Sequence, residues 1–197
     1  MRVLQITTSW PSSTEEIHGN FIYRQTQAFL NAGLEIETFS FRGKKNPANY
    51  LKAWLEVRML LKRMTFDLIL CQFGQSSIVA FPSNIPVIVC LHGSDILGIP
   101  DKKGNYTLTG KIMTKAVKYS LRKSNGIIGV SKQVISKVQS LDKPKVILPM
   151  GVDLSKFKPI PKHEACNQLG LSPEKKYIFF PSNPERPVKH FPLAQAA

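Results

Sequence analysis

The stretch PVIVCLHGSD, residues 86–95, decides how the rest of the chain is read. It opens with an apolar, β-branched run and ends on a polar turn that contains His92 and Gly93. A run of about six residues is short for a buried helix and far short of a bilayer span, so it reads as a strand. Polar and apolar residues do not alternate in it, which is the pattern of a strand covered on both faces, as in a parallel sheet flanked by helices. In such sheets ligands bind beyond the carboxyl ends of the strands, and His92 falls there.

Working outward, the same pattern recurs. DLILCQ (67–72) is a second short apolar run, and RVLQIT (2–7), LEIETFSF (34–41), GIIGV (126–130) and PKVILP (144–149) supply further strands. Helical spacing fills the intervals. Phe21, Ile22, Ala28, Phe29 and Ala32 mark a helix over 20–32, stopped by Gly33 as a left-handed cap. Leu51, Trp54, Leu55, Leu61 and Met64 mark one over 47–64, and others are predicted over 105–123 and 131–141. Strand and helix in alternation predict an α/β, Rossmann-like parallel sheet covered on both faces. Its ligand side is expected in loops 8–20, 73–76, 92–104 and 150–158.

Beyond residue 150 the character changes. Pro159, Pro161 and Pro173 mark a linker with one short helix, and KYIFFP (176–181) is expected to begin a new strand, with LAQAA starting a helix. One strand and a fraction of a helix bury no core. The expected organisation is therefore a domain over 1–155, a linker over 156–175, and the truncated start of a second domain over 176–197.

The charge balance narrows the partners. Lys and Arg number 27 against 13 Asp and Glu, a net +14, and such a field draws polyanions. Lys111, Lys115, Lys118 and Arg122 share one helical face. The chain has no zinc-ligand spacing and no RNA-binding aromatic signature, so nucleic acid is not the expected partner. An anionic membrane surface fits the basic face better. Cys71, Cys90 and Cys166 are far apart and odd in number, so they read as buried free thiols. MRVLQITTSW reads as a strand rather than as a secretory leader, and the chain is expected in the cytoplasm, at most peripheral on the membrane's inner face.

A few residues could carry chemistry. The first loop lacks G-x-G-x-x-G, so ordinary dinucleotide binding is unsupported. It does place Gly19 and Asn20 at the start of a helix, where a glycine lets a phosphate approach the backbone N–H groups, although a turn glycine and a cap suffice to explain them. His92 can donate to a sugar hydroxyl or take a proton near neutral pH; a structural hydrogen bond to a loop carbonyl is the plainer alternative. Ser131 reads as a helix cap that a phosphate contact could supplement. Arg186 and Lys189 precede the last helix, where two cations can clamp a diphosphate.

Taken together, the segments resemble retaining glycosyltransferases of family 4, which have the two-domain GT-B fold. HGNFIYRQTQAFLNAGLEIETFSF is similar to that family's glycine loop, first helix and second strand. PVIVCLHGSDI resembles its histidine loop, and NGIIGVSKQVISKV its strand, serine and helix. VILPMGVDLSKFKP resembles the interdomain segment, and YIFFPSNPERPVKHFPLAQAA the opening of the donor domain. The resemblance implies transfer of a sugar from a nucleotide-sugar donor to a glycan or lipid-linked acceptor, with retention and without a metal or other cofactor. It puts Gly19 near the donor phosphates, His92 against the transferred sugar, and Arg186 and Lys189 on the diphosphate leaving group. Three departures stand out. Met150 replaces the asparagine frequent at the hinge, Arg186 and Lys189 are closer together than is usual, and the family's paired donor-domain glutamates are absent from the sequence. Two alternatives share some of the features: a GT-B nucleotide-sugar epimerase, drawing on Glu15, Glu16, Asp95 or Asp101, and a basic, non-catalytic domain that binds anions or nucleic acid.

Overall fold

Six strands form where the apolar runs predict them. In the computed structural model, which describes residues 1–12, 19–43, 46–98, 108–185 and 189–196, they are β1 (Arg2–Thr7), β2 (Glu35–Ser40), β3 (Leu68–Gln72), β4 (Val87–Leu91), β5 (Gly126–Gly129) and β6 (Lys145–Ile147). They pair in the order β2-β1-β3-β4-β5-β6, every neighbour parallel. The register sets Thr7 beside Gln72 and Gln72 beside Cys90, so the carboxyl ends of β1, β3 and β4 lie level. The order reverses between β1 and β3, which makes their carboxyl ends the switch point where open sheets of this kind hold ligands.

Side chains alternate across each strand, and the two faces differ. Leu4, Ile6, Ile69, Cys71, Val87, Val89 and Leu91 join one core cluster with Ala53 and Val57 of α2 (Pro47–Arg63) and with Val117 and Leu121 of α4 (Leu108–Lys123). On the other face Gln5 of β1 meets Thr26 of α1 (Asn20–Asn31), and there the core is partly polar. A turn of 3₁₀ helix, Gly74–Val79, links β3 to the loop before β4, and the short α3 (Ser94–Leu97) and α5 (Lys132–Ser136) follow β4 and β5.

Local signals explain the helix ends. Gly33 takes φ 82°, and the N–H of Leu34 donates to the Phe29 carbonyl at 3.1 Å while that of Gly33 donates to Leu30 at 3.0 Å, the Schellman arrangement its glycine predicts. Asn46 caps α2 by accepting from the Ala48 N–H at 3.0 Å, with Pro47 in the first turn.

The buried faces are not all the expected ones. In α2 the sheet takes Ala53 and Val57, while Leu51 and Leu55 are 61% and 49% exposed. Apolar residues lie on more than one side of this helix, and Ala53 and Val57 are the ones that join the buried core. In α1 the buried pair is Ile22 and Thr26, not Phe21 and Ala28. α5 is shorter than the predicted 131–141, with turns in place of its second half. The predicted start of α4 at residue 105 lies outside the described residues.

The chain divides into two units, Met1–Met150 and Gly151–Ala197. The second holds α6 (Lys162–Leu169), ended by Gly170 at φ 66°, and α7 (Phe191–Ala196). Residues 176–181, expected as a strand, are not one. A strand exists only through pairing, and no other strand of this unit among the described residues offers it a partner. Ile178 and Phe179 are 81% and 84% exposed.

All three cysteines are buried free thiols, and burial pushes Cys71 and Cys90 up to about 12, which makes them inert. Among the described residues no helix is long and apolar enough to cross a membrane, and no three His, Cys, Asp or Glu side chains are grouped to hold a metal ion.

Candidate active site

At the carboxyl end of β4 the chain must turn sharply, and a single buried carboxylate organises the turn. Asp95, 2% exposed, accepts from three backbone N–H groups: Gly93 at 2.8 Å, His92 at 3.2 Å and Gly74 at 2.8 Å. The first two close the turn on itself. The third ties it to the loop after β3. Gly93 sits at φ 113°, a conformation that favours glycine over any side chain. Asp95 is therefore committed to holding backbone, which removes it as the proton-transfer group an epimerase would need. Glu15, Glu16 and Asp101 lie outside the described residues.

The turn presents His92 to a short polar chain that begins inside the sheet. Its Nε2 lies 2.9 Å from Oε1 of the buried Gln72. The amide nitrogen of Gln72 donates to Oε1 of Gln25 at 2.7 Å and, more weakly, to Oε1 of Gln5 at 3.4 Å. Gln5 in turn donates to Thr26 at 2.8 Å. With its amide nitrogen engaged, Gln72 faces the imidazole with its oxygen, so Nε2 carries the proton. That leaves Nδ1 as the acceptor, and it has no partner among the described residues.

Aromatic rings wall the imidazole. Phe73 packs against it at 4.5 Å between centroids and Phe21 at 5.2 Å. Phe73 holds φ at 72°, a strained backbone for a bulky residue, fixed by its N–H donating to the Cys90 carbonyl at 2.9 Å. Burial among these groups pushes the His92 pKa below the ordinary imidazole value, and the Asp95 charge opposes this as the smaller influence. The ring is thus neutral at pH 7.

Turnover that depends on Nδ1 as an acceptor is expected to be lost only when pH falls through that lowered pKa. An acid limb centred at or above 6.5, the ordinary value, would contradict this. The sign for stability follows. The contribution of a neutral, buried imidazole is complete above 6.5 and is lost as pH falls from there towards the folded pKa, because only the unfolded ring takes up a proton in that window.

Gly19 and Asn20 stand beside this group, since Phe21 follows them directly. Gly19 is buried at φ 79°, and its carbonyl accepts from Ile22 and Tyr23 at 3.0 and 3.1 Å. Gly19 takes the cap position of α1 and has no side chain with which to cap it. A Cβ here would lie 3.0 Å from the Ser9 carbonyl carbon and the Trp10 nitrogen. Gly19→Ala is expected to cost about 1–3 kcal/mol of stability, since both the left-handed backbone and the backbone contact oppose it. Thermal unfolding of the two proteins checks this, and an unchanged midpoint would show that the loop relaxes freely.

The remaining candidates divide by place. Ser131 caps α5, its Oγ accepting from the Val134 N–H at 3.3 Å, and Val130 donates to the Leu91 carbonyl at 3.1 Å, which ties this cap to the His92 turn. Lys189 is exposed in the second unit, and Arg186 lies outside the described residues. The fold thus brings Gly19, Asn20, His92 and Ser131 to one edge of one sheet. Sequence reading missed Gln72, Gln25, Phe73 and the role of Asp95. A signal for the first was present: a glutamine ending an apolar run.

The profile of Glycosyltransferase Family 4 matches residues 3–156. Curated protein sequences give no match. Among solved structures, sucrose-phosphate synthase from Thermosynechococcus elongatus is similar with a TM-score of 0.70 at 15% identity, covering 87% of this chain and 53% of that one. HepE of Anabaena, solved in complex with UDP and glucose, is similar with a TM-score of 0.51 at 14% identity, covering 86% of this chain and 50% of that one. The chain spans about half the length of these structures, and at such identity the likeness is one of fold.

Proposed function

Since the chain belongs to glycosyltransferase family 4 and has the Rossmann-like parallel sheet of GT-B glycosyltransferases, we propose that it is the acceptor-side part of an enzyme that moves a sugar from a nucleotide-sugar donor to a glycan or lipid-linked acceptor with retention. The observation that carries this reading is His92: a neutral imidazole at the switch-point edge of the sheet, held by Gln72 through Nε2 so that Nδ1 is presented as an acceptor.

In the proposed reaction, Nδ1 of His92 accepts from a hydroxyl of the transferred sugar and fixes the ring beside the acceptor. The Gly19–Asn20 backbone at the start of α1 meets the donor diphosphate, where helix N–H groups and the helix dipole favour negative charge. Ser131 supplies a further hydroxyl on the same edge. Arg186 and Lys189 neutralise the diphosphate as it leaves, so no metal is called on for that charge. Stabilising the leaving group is the main catalytic task, because that charge develops in the transition state. Taken alone, the 197 residues are proposed to be inactive, since most of the donor site would lie in the other half of such an enzyme. The exposed basic face of α4, with Lys111, Lys115, Lys118 and Arg122, supports work at an anionic inner membrane surface in the synthesis of cell-surface polysaccharide.

The test of the reaction class is the anomeric configuration of the product. Full-length protein is supplied with the nucleotide sugar it hydrolyses and with an acceptor, and the product is read by proton NMR coupling. The same configuration as in the donor is expected, and an inverted product would overturn the retaining mechanism.

A further inference from the structure

The polar groups behind His92 impose a direction on one another. The chain they form starts at a group that cannot donate, the backbone carbonyl of Ile22, which takes the hydroxyl proton of Thr26 at 2.8 Å. The Thr26 oxygen is left to accept, and it accepts from the amide nitrogen of Gln5 at 2.8 Å. Gln5 Oε1 then faces Gln72 and receives its amide nitrogen at 3.4 Å, at the edge of hydrogen-bond range. At the last step the Gln72 oxygen meets His92 Nε2 at 2.9 Å. Thr26, Gln5 and Gln72 are all buried, so none of them turns to water instead. A carbonyl on α1 thus sets the sense of a chain that ends on one imidazole nitrogen.

The 3.4 Å step is the weak one, and a second arm from the same helix strengthens it. Oε1 of Gln25 accepts from the Gln72 amide nitrogen at 2.7 Å, the shortest bond in the chain. Both arms ask the same of Gln72: its nitrogen towards α1 and its oxygen towards the imidazole. Gln25 reaches His92 only through Gln72. It is half-buried, so its side chain can be exchanged without opening the core. It also lies about 9 Å along α1 from Gly19, where the donor phosphates are proposed to sit. One helix therefore carries the proposed phosphate contact at its start and the tautomer control less than two turns further on.

We propose that Gln25 is a positioning residue for His92. By accepting from Gln72 it keeps the Gln72 oxygen on the imidazole, the proton on Nε2, and Nδ1 as the acceptor for a sugar hydroxyl. The tautomer follows from the fold alone; its use in turnover rests on the transferase reading.

Nitrogen-15 NMR of the full-length protein reads which nitrogen of His92 is protonated, at about pH 8, where an ordinary imidazole is neutral. A His92→Gln sample identifies the signal. Wild type and Gln25→Glu, which keeps an acceptor against Gln72, are expected to carry the proton on Nε2. Gln25→Lys offers a donor in the same place. Gln72 is then expected to turn its oxygen to the lysine and its nitrogen to the imidazole, which moves the proton to Nδ1. Both replacements are good helix formers at a half-buried position, so α1 is expected to stay folded, and circular dichroism checks it. Donor turnover is expected to fall about 10²-fold in Gln25→Lys, the order of loss for a misplaced catalytic group, with KM rising far less. Gln25→Glu is expected to stay near the wild type. A proton on Nδ1 in the wild type or in Gln25→Glu, or on Nε2 in Gln25→Lys, would overturn the proposal. So would a Gln25→Lys protein with the inverted tautomer and undiminished turnover. The spectra need no substrate. The expected spectra from a protein that turns over no nucleotide sugar would keep the control of the tautomer and remove the transferase reading; contrary spectra from an active enzyme would do the reverse.

Discussion

Asp95→Ala is expected to lower folding stability by about 3–5 kcal/mol, the largest loss from any single side chain in the site. The reason is the number of donors that one carboxylate satisfies. Removing it leaves the N–H groups of His92, Gly93 and Gly74 without their acceptor in a buried place. Each orphaned donor costs about 1–3 kcal/mol, and water admitted to the new cavity recovers part of the sum. Asp95→Asn keeps the shape but turns an amide group towards N–H groups that need acceptors, so an intermediate loss is expected. Denaturant unfolding of the three proteins measures it. A loss below about 1 kcal/mol in the alanine variant would mean that the turn is held by its own backbone. Asp95 acts on the reaction through His92, so it is a positioning residue. Its variants are expected to lose turnover together with the ordered turn.

His92→Ala is expected to reduce donor turnover by about 10²–10⁴-fold and to cost about 1–3 kcal/mol of stability, since it leaves the buried Gln72 Oε1 without its donor. The Gln72 bond engages Nε2 and leaves Nδ1 without a partner among the described residues, and its contribution is expected in the transition state more than in binding, so kcat falls more than KM rises. His92→Gln keeps a neutral acceptor in another geometry and is expected to retain a fraction of the activity. A large stability loss with unchanged turnover in the folded fraction would assign His92 a structural role only.

Much of this fold was legible because a parallel sheet buries its strands on both faces and so writes them as uninterrupted apolar runs. β3 and β4 were found within a residue for that reason, and Gly33 ended its helix as its missing side chain dictates. The failures have physical causes as well. KYIFFP looks like β3 by composition, but a strand is defined by its neighbour, and no spacing within six residues reveals whether one exists. Leu51 and Leu55 keep helical period, yet period does not say which of two apolar faces the sheet will choose. Asp95 stood in the sequence only as one of four carboxylates that an epimerase could use. Its bond to Gly74 spans 21 residues and depends on β3 and β4 being neighbours. The placement of His92, Gly19 and Ser131 at one edge of the sheet was within reach because each follows the carboxyl end of a predicted strand. Gln72 also ends a strand, but its inward side chain became meaningful only once Gln5 and Gln25 were seen beside it.

The most direct measurement is the release of nucleoside diphosphate from a panel of nucleotide sugars by the full-length protein, wild type beside His92→Ala. Slow turnover of one donor by the wild type, mostly lost in a variant that is still folded, is the predicted result. No turnover of any donor, or turnover that is the same in both proteins, would contradict the placement of His92 at the reacting centre of a glycosyltransferase.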